Sequence, residues 1–183
     1  MRDLVRDYMK NNRGILERAV ISGTVSGLAT AGIASFAGKH ENGSYAAPLN
    51  ATSHIIWGEE AAHHDRPSLK YTLTGFLLNH ASTIFWASFY EKLFGSHGTR
   101  QYMRRLPFTA SPEPVSLVKP LCGGAAVAAA AYVIDYHLIP KRFTPGFEKR
   151  VSGKSLTAIF AALAVGLAAR DVIDAGIEFH KRR

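Results

Sequence analysis

The chain has a single cysteine, Cys122, in 183 residues, which excludes an intrachain disulfide and any multi-cysteine metal site. Cys122 lies in an apolar run, where it reads as a small inert thiol. Also missing are a GxxxxGK[ST] phosphate loop, a GxSxG elbow, an HExxH helix and a GxGxxG turn. The usual signatures of nucleotide binding, serine hydrolysis and zinc proteolysis are therefore absent. The most informative lack is local. Residues 71–90, YTLTGFLLNHASTIFWASFY, contain no Asp, Glu, Lys or Arg. As a helix this stretch reaches about 30 Å, the thickness of a bilayer's hydrocarbon core.

The average composition hides this segregation. Hydrophobic residues make up 47% and the mean hydropathy is −0.01, both ordinary for a water-soluble protein. Yet apolar blocks alternate with very polar connections. The net charge of +8 comes from 22 Lys and Arg that fall mostly outside the apolar blocks. Basic flanks suit anionic lipid headgroups and the cytoplasmic side of a membrane. No reader motif accompanies them, so nucleic acid is not an expected partner.

Four apolar blocks define the expected spans, at about 19–38, 71–90, 115–139 and 152–170. In the first, Gly23, Gly27, Ala31 and Ser35 recur every four residues, a stripe of small side chains that lets two membrane helices approach closely. In the third, Gly124, Ala128, Ala131 and Asp135 share one face. In the fourth, Ala162 and Gly166 lie on a packing side. On a helical wheel of the second, Thr72, Gly75, Asn79, Ser82, Thr83, Trp86 and Tyr90 fall within about 60° of Asn79. This polar stripe should face other helices rather than lipid.

The connections carry their own signals. Residues 1–10 place Leu4, Val5, Tyr8 and Met9 on one face, suiting a short interfacial helix, with Asn11, Asn12 and Gly14 as punctuation. Residues 45–57 are mildly apolar and read as an interfacial or re-entrant piece with Trp57 at headgroup level. Residues 93–114 read as a basic loop. Asn50-Ala51-Thr52 matches the short glycosylation acceptor pattern. The first block competes with a cleaved signal sequence ending near Ala37. With four spans both termini lie on one side. That side and the second loop hold 14 Lys and Arg, against 8 in the first and third loops. The count favours cytoplasmic termini, although the basic third loop argues against it.

The expected fold is thus all-α: one domain over residues 1–183, a four-span transmembrane bundle with an interfacial N-terminal helix. The rival is a soluble four-helix bundle.

Two constellations could carry chemistry. Asn79, His80 and Asp135, with Asp171 as a further member, are polar groups at or near membrane depth, where ionisable side chains mark proton or ion paths or bond neighbouring helices. His80 could also serve as an axial haem ligand, though no second ligand or attachment motif accompanies it. Glu60 and His63 form one E-x-x-H pair, and a metal site built on it would recruit His54 and either Asp135 or His137. A di-iron bundle needs two such pairs, so no cofactor is expected, with metal or haem as the alternatives.

The phrases NATSHIIWGEEAAHHDRPSLKYTLTGFLLNHASTIFWASFYEKLFG and VIDYHLIPKRFTPGFEKR resemble a group of small bacterial inner-membrane proteins with no assigned activity. The resemblance implies a bacterial inner-membrane location and carries over no functional residue. The leading expectation is a non-enzymatic structural or accessory membrane component, acting through helix packing at Gly23, Gly27, Ala31, Gly124, Ala128 and Gly166. Its partners would be the lipid bilayer and a second copy or another membrane protein. The alternatives are a proton- or metal-linked transporter using His80 and Asp135, and a metal-dependent membrane enzyme using Glu60 and His63.

Overall fold

The computed structural model describes residues 2–95 and 117–181. Every regular element among them is helical. Helix α1 spans Arg2–Asn42, α5 Thr74–Leu93, α6 Val118–Val133 and α7 Gly153–Lys181. Three short helices, α2 (Ala47–Thr52), α3 (His54–Trp57) and α4 (Glu59–Ala62), fill the connection between α1 and α5. A π-helical turn, Leu69–Leu73, leads into α5, and another, Ile134–Leu138, ends α6. Among the described residues three segments are long and apolar enough to cross a membrane: Gly14–Asn42, Val118–Leu138 and Gly153–Ile177.

Several boundaries differ from the sequence reading. Helix α1 runs through Asn11, Asn12 and Gly14 without a break, so the N-terminal stretch is not a separate element. Nothing there supplies a proline or a cap strong enough to stop a helix already propagating. Helix α7 continues past residue 170 to Lys181, eleven residues further. Leu93 belongs to α5, while most of the expected second loop, with Arg100, Arg104 and Arg105, lies outside the described residues. The charge-free stretch 71–90 is helical but is less apolar than the three crossing segments, because Asn79, His80 and its hydroxyl residues lower its average.

Helix α1, not α5, is the centre of the packing: it lies against α5 on one side and α7 on the other, and α6 packs on α7. Two adjacent ridges of α1 explain this. On the first, Gly23 and Gly27 admit α5; a Cβ on Gly23 would stand 2.5 Å from Ile84 Cα. On the second, Ser22 and Ser26 are wholly buried, and a Cβ on Gly166 of α7 would meet Ser26 Cα at 2.6 Å. Gly124 does the same for α6, its missing Cβ being replaced by the Ala164 carbonyl of α7. Small residues bring backbones together, and dispersion contacts follow from the close approach.

Two apolar clusters result. Trp86, Tyr90, Val127, Ala128, Leu163 and Leu167 interlock toward one end of the bundle. Ala31, Ala34, Leu49, Phe147, Leu156 and Ile159 interlock toward the other. The first block is thus the helix on which both α5 and α7 pack.

The short helices make a loop layer over this second cluster. All six residues of α2 are buried. Gly75 has no side chain because the Leu49 carbonyl occupies that space. Asn50 is fully buried, and its amide donates to the carbonyls of His64 at 2.7 Å and Arg66 at 3.0 Å while Thr72 Oγ1 donates to Oδ1 at 2.6 Å. A side chain so engaged is closed to glycosylation. The piece expected to be interfacial or re-entrant forms the helices α2 and α3, with Trp57 exposed at its end.

Candidate functional site

The polar stripe of α5 meets α1 almost residue for residue. Asn79 is 7% exposed, and its Nδ2 donates to the Gly27 carbonyl and to Thr30 Oγ1, both at 3.1 Å. Thr83 Oγ1 donates to the Gly23 carbonyl at 2.8 Å. These carbonyls belong to the glycine ridge, where no side chain shields them from the neighbouring helix. Glycines that admit α5 thus also expose the acceptors its polar groups need.

The same seam ends in a cluster that the sequence reading missed. Glu91 is 4% exposed; Ser22 Oγ donates to its Oε1 at 2.6 Å, and Arg18 Nε donates to Oε2 at 3.2 Å. Tyr90 hydroxyl donates to Asp171 Oδ2 of α7 at 2.9 Å. In sequence, Glu91 looks like the charged end of an apolar run. Its signal was the four-residue ridge Thr83, Ala87, Glu91, all three buried.

Asn79 and Asp135 come together on one cavity of about 380 Å³. It lies between α5, the π turn after α6, and α7, and is also lined by Phe143, Pro145 and Phe147 of the connection between α6 and α7. Its walls are mainly aromatic and aliphatic, and Ala81, Ser82 and Phe85 form an exposed rim. Asp135 makes no hydrogen bond or ion pair with any described residue. It stands on a π-helical turn, a feature that re-aims side chains and recurs at functional sites.

His80 does not line this cavity. Its ring stacks on Phe76, 6.0 Å between centroids and 11° between planes, and Nδ1 is buried without a hydrogen-bond partner among the described residues. It fits beside Gly27, where a Cβ would come within 2.9 Å of Nδ1. The structure therefore joins Asn79 with Asp135 and separates His80 from both.

The four residues expected around a metal are dispersed over the loop layer and the π turn after α6. His54 is 2% exposed, and its Nδ1 donates to the Ala51 carbonyl at 2.7 Å. Glu60 accepts from Tyr71 hydroxyl at 3.1 Å, while His63 Nδ1 donates to the Glu59 carbonyl at 2.9 Å. His137 stands on the π turn after α6, its ring 5.5 Å from that of Tyr132. Among the described residues no three His, Cys, Asp or Glu side chains converge in a way that could hold a metal ion.

Two ion pairs pin the third loop to the first. Lys149 Nζ lies 2.5 and 2.6 Å from the two oxygens of Glu59, and Arg150 pairs with Asp65. The Lys149 hydrogen bond holds the Glu59 carboxyl below its ordinary range. No family model, curated protein or solved structure matches this chain.

Proposed function

We propose that this chain is a four-span protein of a bacterial inner membrane, with both ends cytoplasmic, serving as a non-enzymatic component whose work is done through helix packing. One observation carries the reading: the distribution of polarity is inverted relative to a water-soluble bundle. Ser22, Ser26, Thr30, Asn79, Thr83 and Glu91 are buried, while Leu16, Ile21, Leu28, Phe36, Leu77 and Phe85 are exposed. In water that outward face would be a large apolar patch. In lipid it is the favoured surface, and buried polar groups bonding between helices hold the bundle together.

The fourth span is α5, whose 20 residues reach about 30 Å. Its lower apolarity is compatible with spanning because Asn79 and Thr83 are spent on α1. All four long helices alternate in direction, which sets α1's start and α7's end at the same end of the bundle. The pairs Lys149–Glu59 and Arg150–Asp65 also neutralise part of the third loop, easing the charge count that argued against cytoplasmic ends.

The test is alkaline extraction followed by thiol labelling. With Cys122 replaced by serine, single cysteines at positions 63 and 100 should label from opposite sides of sealed membranes. Release into the supernatant, or labelling of both from one side, overturns the reading.

A second reading, ion-linked transport, is favoured by Asp135 on the interhelical cavity. His80, turned to α1, has no part in it. In proteoliposomes Asp135→Asn should then abolish flux and His80→Ala should spare it.

A further inference from the structure

The cavity between α5, the π turn after α6, and α7 combines features that together specify a kind of ligand. Its single ionisable lining group, Asp135, has no described partner. The surfaces around it are apolar and aromatic: Trp86, Ile159, Phe160 and Leu163. An unpaired carboxylate among such walls attracts a positive charge. A hard metal ion is poorly served there, because it seeks six or more oxygen ligands. Of the other polar groups, Ser82 sits at the exposed rim and the buried ones are already committed. Asn79's amide is bonded to Gly27 and Thr30, and Thr52 Oγ1 donates to the Pro48 carbonyl at 3.3 Å.

An organic cation meets both requirements. Its apolar body replaces contacts with lipid by contacts with Phe160, Leu163 and Ile159 at little cost. Its charge pairs with Asp135 and is attracted by the face of Trp86. The exposed rim at Ala81, Ser82 and Phe85 gives such a molecule a way in from the side of the bundle. The volume of about 380 Å³ falls at the small end of ligand pockets.

We propose that this cavity is a binding site for a lipophilic organic cation, with Asp135 as its counter-charge and Trp86 and Phe160 as its aromatic walls. The inference deepens the transport reading and shares its membrane setting. Binding is nevertheless measured in detergent, so it can hold where flux fails, and the converse.

The chain has two tryptophans, Trp57 at the loop rim and Trp86 in the cavity. Trp57→Phe leaves Trp86 as the only indole. Tetraphenylphosphonium, added to this variant in detergent, should change Trp86 fluorescence along a saturating curve. Asp135→Asn should weaken that binding at least about tenfold. Because Asp135 bonds to no described residue, this variant should keep the parent's circular dichroism and melting. Tetraphenylsilane, of similar shape and no charge, should bind less tightly than the cation in the parent and equally in both proteins. A saturating response unchanged by Asp135→Asn, a neutral analogue binding as tightly as the cation, or no response to the cation would each overturn the proposal.

Discussion

Glu91 and Arg18 close the seam between α5 and α1, their carboxylate oxygen and guanidinium nitrogen 3.2 Å apart, with Ser22 on the second oxygen. Side-chain exposure is 13% for Arg18 and 2% for Glu91, so neither charge is well solvated. A buried pair costs most when half of it is removed, because the remaining charge keeps its desolvation penalty. Glu91→Ala should therefore destabilise the bundle by about 3 kcal/mol or more. The double variant Arg18→Met, Glu91→Leu should recover most of that loss. Thermal or denaturant unfolding in detergent measures both, and equal losses in the single and double variants would contradict this account.

Close approach makes a second prediction. Gly23→Val places a branched side chain where Ile84 backbone now sits. The helices must separate, breaking the Thr83–Gly23 hydrogen bond as well, at about 1–3 kcal/mol for the overpacking alone. Gly32 is the control, since a Cβ there meets nothing within 4 Å. Gly32→Ala should be neutral or slightly stabilising, because alanine is the better helix former. If both substitutions melt alike, the glycine ridge has no special role in packing α1 on α5.

What the sequence could show divides along this seam. The repeat Gly23, Gly27, Ala31 is legible because small residues at four-residue spacing have one well-known use. Its neighbour ridge, Arg18, Ser22, Ser26, Thr30, is just as regular but mixes a charge with hydroxyls. Serine and threonine can satisfy themselves within a helix, as Ser26 does on the Ser22 carbonyl. Nothing local distinguishes that use from a contact to Glu91. The inward stripe of α5 followed from periodicity, and Asn79 and Thr83 occupy it. Ser82, counted in the same stripe, is exposed. The convergence of Asn79 with Asp135 depends on how α5 and α6 meet across the fold, and the π turn that carries Asp135 has no sequence signature. His80 and Asp135 looked equivalent because both were ionisable, yet the rotation of α5 sends His80 toward Gly27.

Acid should loosen the loop layer through Glu59. Its folded carboxyl ionises below the usual range because Lys149 binds the charged form. A depressed folded value contributes stability that is present above the unfolded pKa, about 4.3. That contribution is lost as pH falls through the folded value. A ¹³C-carboxyl titration of the wild type should show Glu59 with a midpoint below that of an ordinary glutamate. Lys149→Met should move the midpoint back up and remove this part of the acid sensitivity. The pair is solvent-exposed, so its effect on global melting should be small. An unmoved midpoint would mean that the Lys149–Glu59 contact does not persist in solution.

Asn79 offers the sharpest separation of a structural from a ligand-binding role, because it lines the cavity and also holds α1. Its amide makes two hydrogen bonds to α1, one to a backbone carbonyl and one to Thr30. Interhelical bonds of this kind contribute about 0.6 kcal/mol on average within a membrane protein. Asn79→Ala should accordingly lower stability by about 1–2 kcal/mol, because it removes both interhelical bonds at once. Thr30→Val should lower it less, because Thr30 Oγ1 also has the Gly27 carbonyl of its own helix at 3.1 Å. The double variant should fall short of the sum, since the two side chains share one bond. Strict additivity would show that Asn79 and Thr30 do not interact. A loss of binding at Asp135 with no change in melting would instead move Asn79 from the helix seam to the ligand.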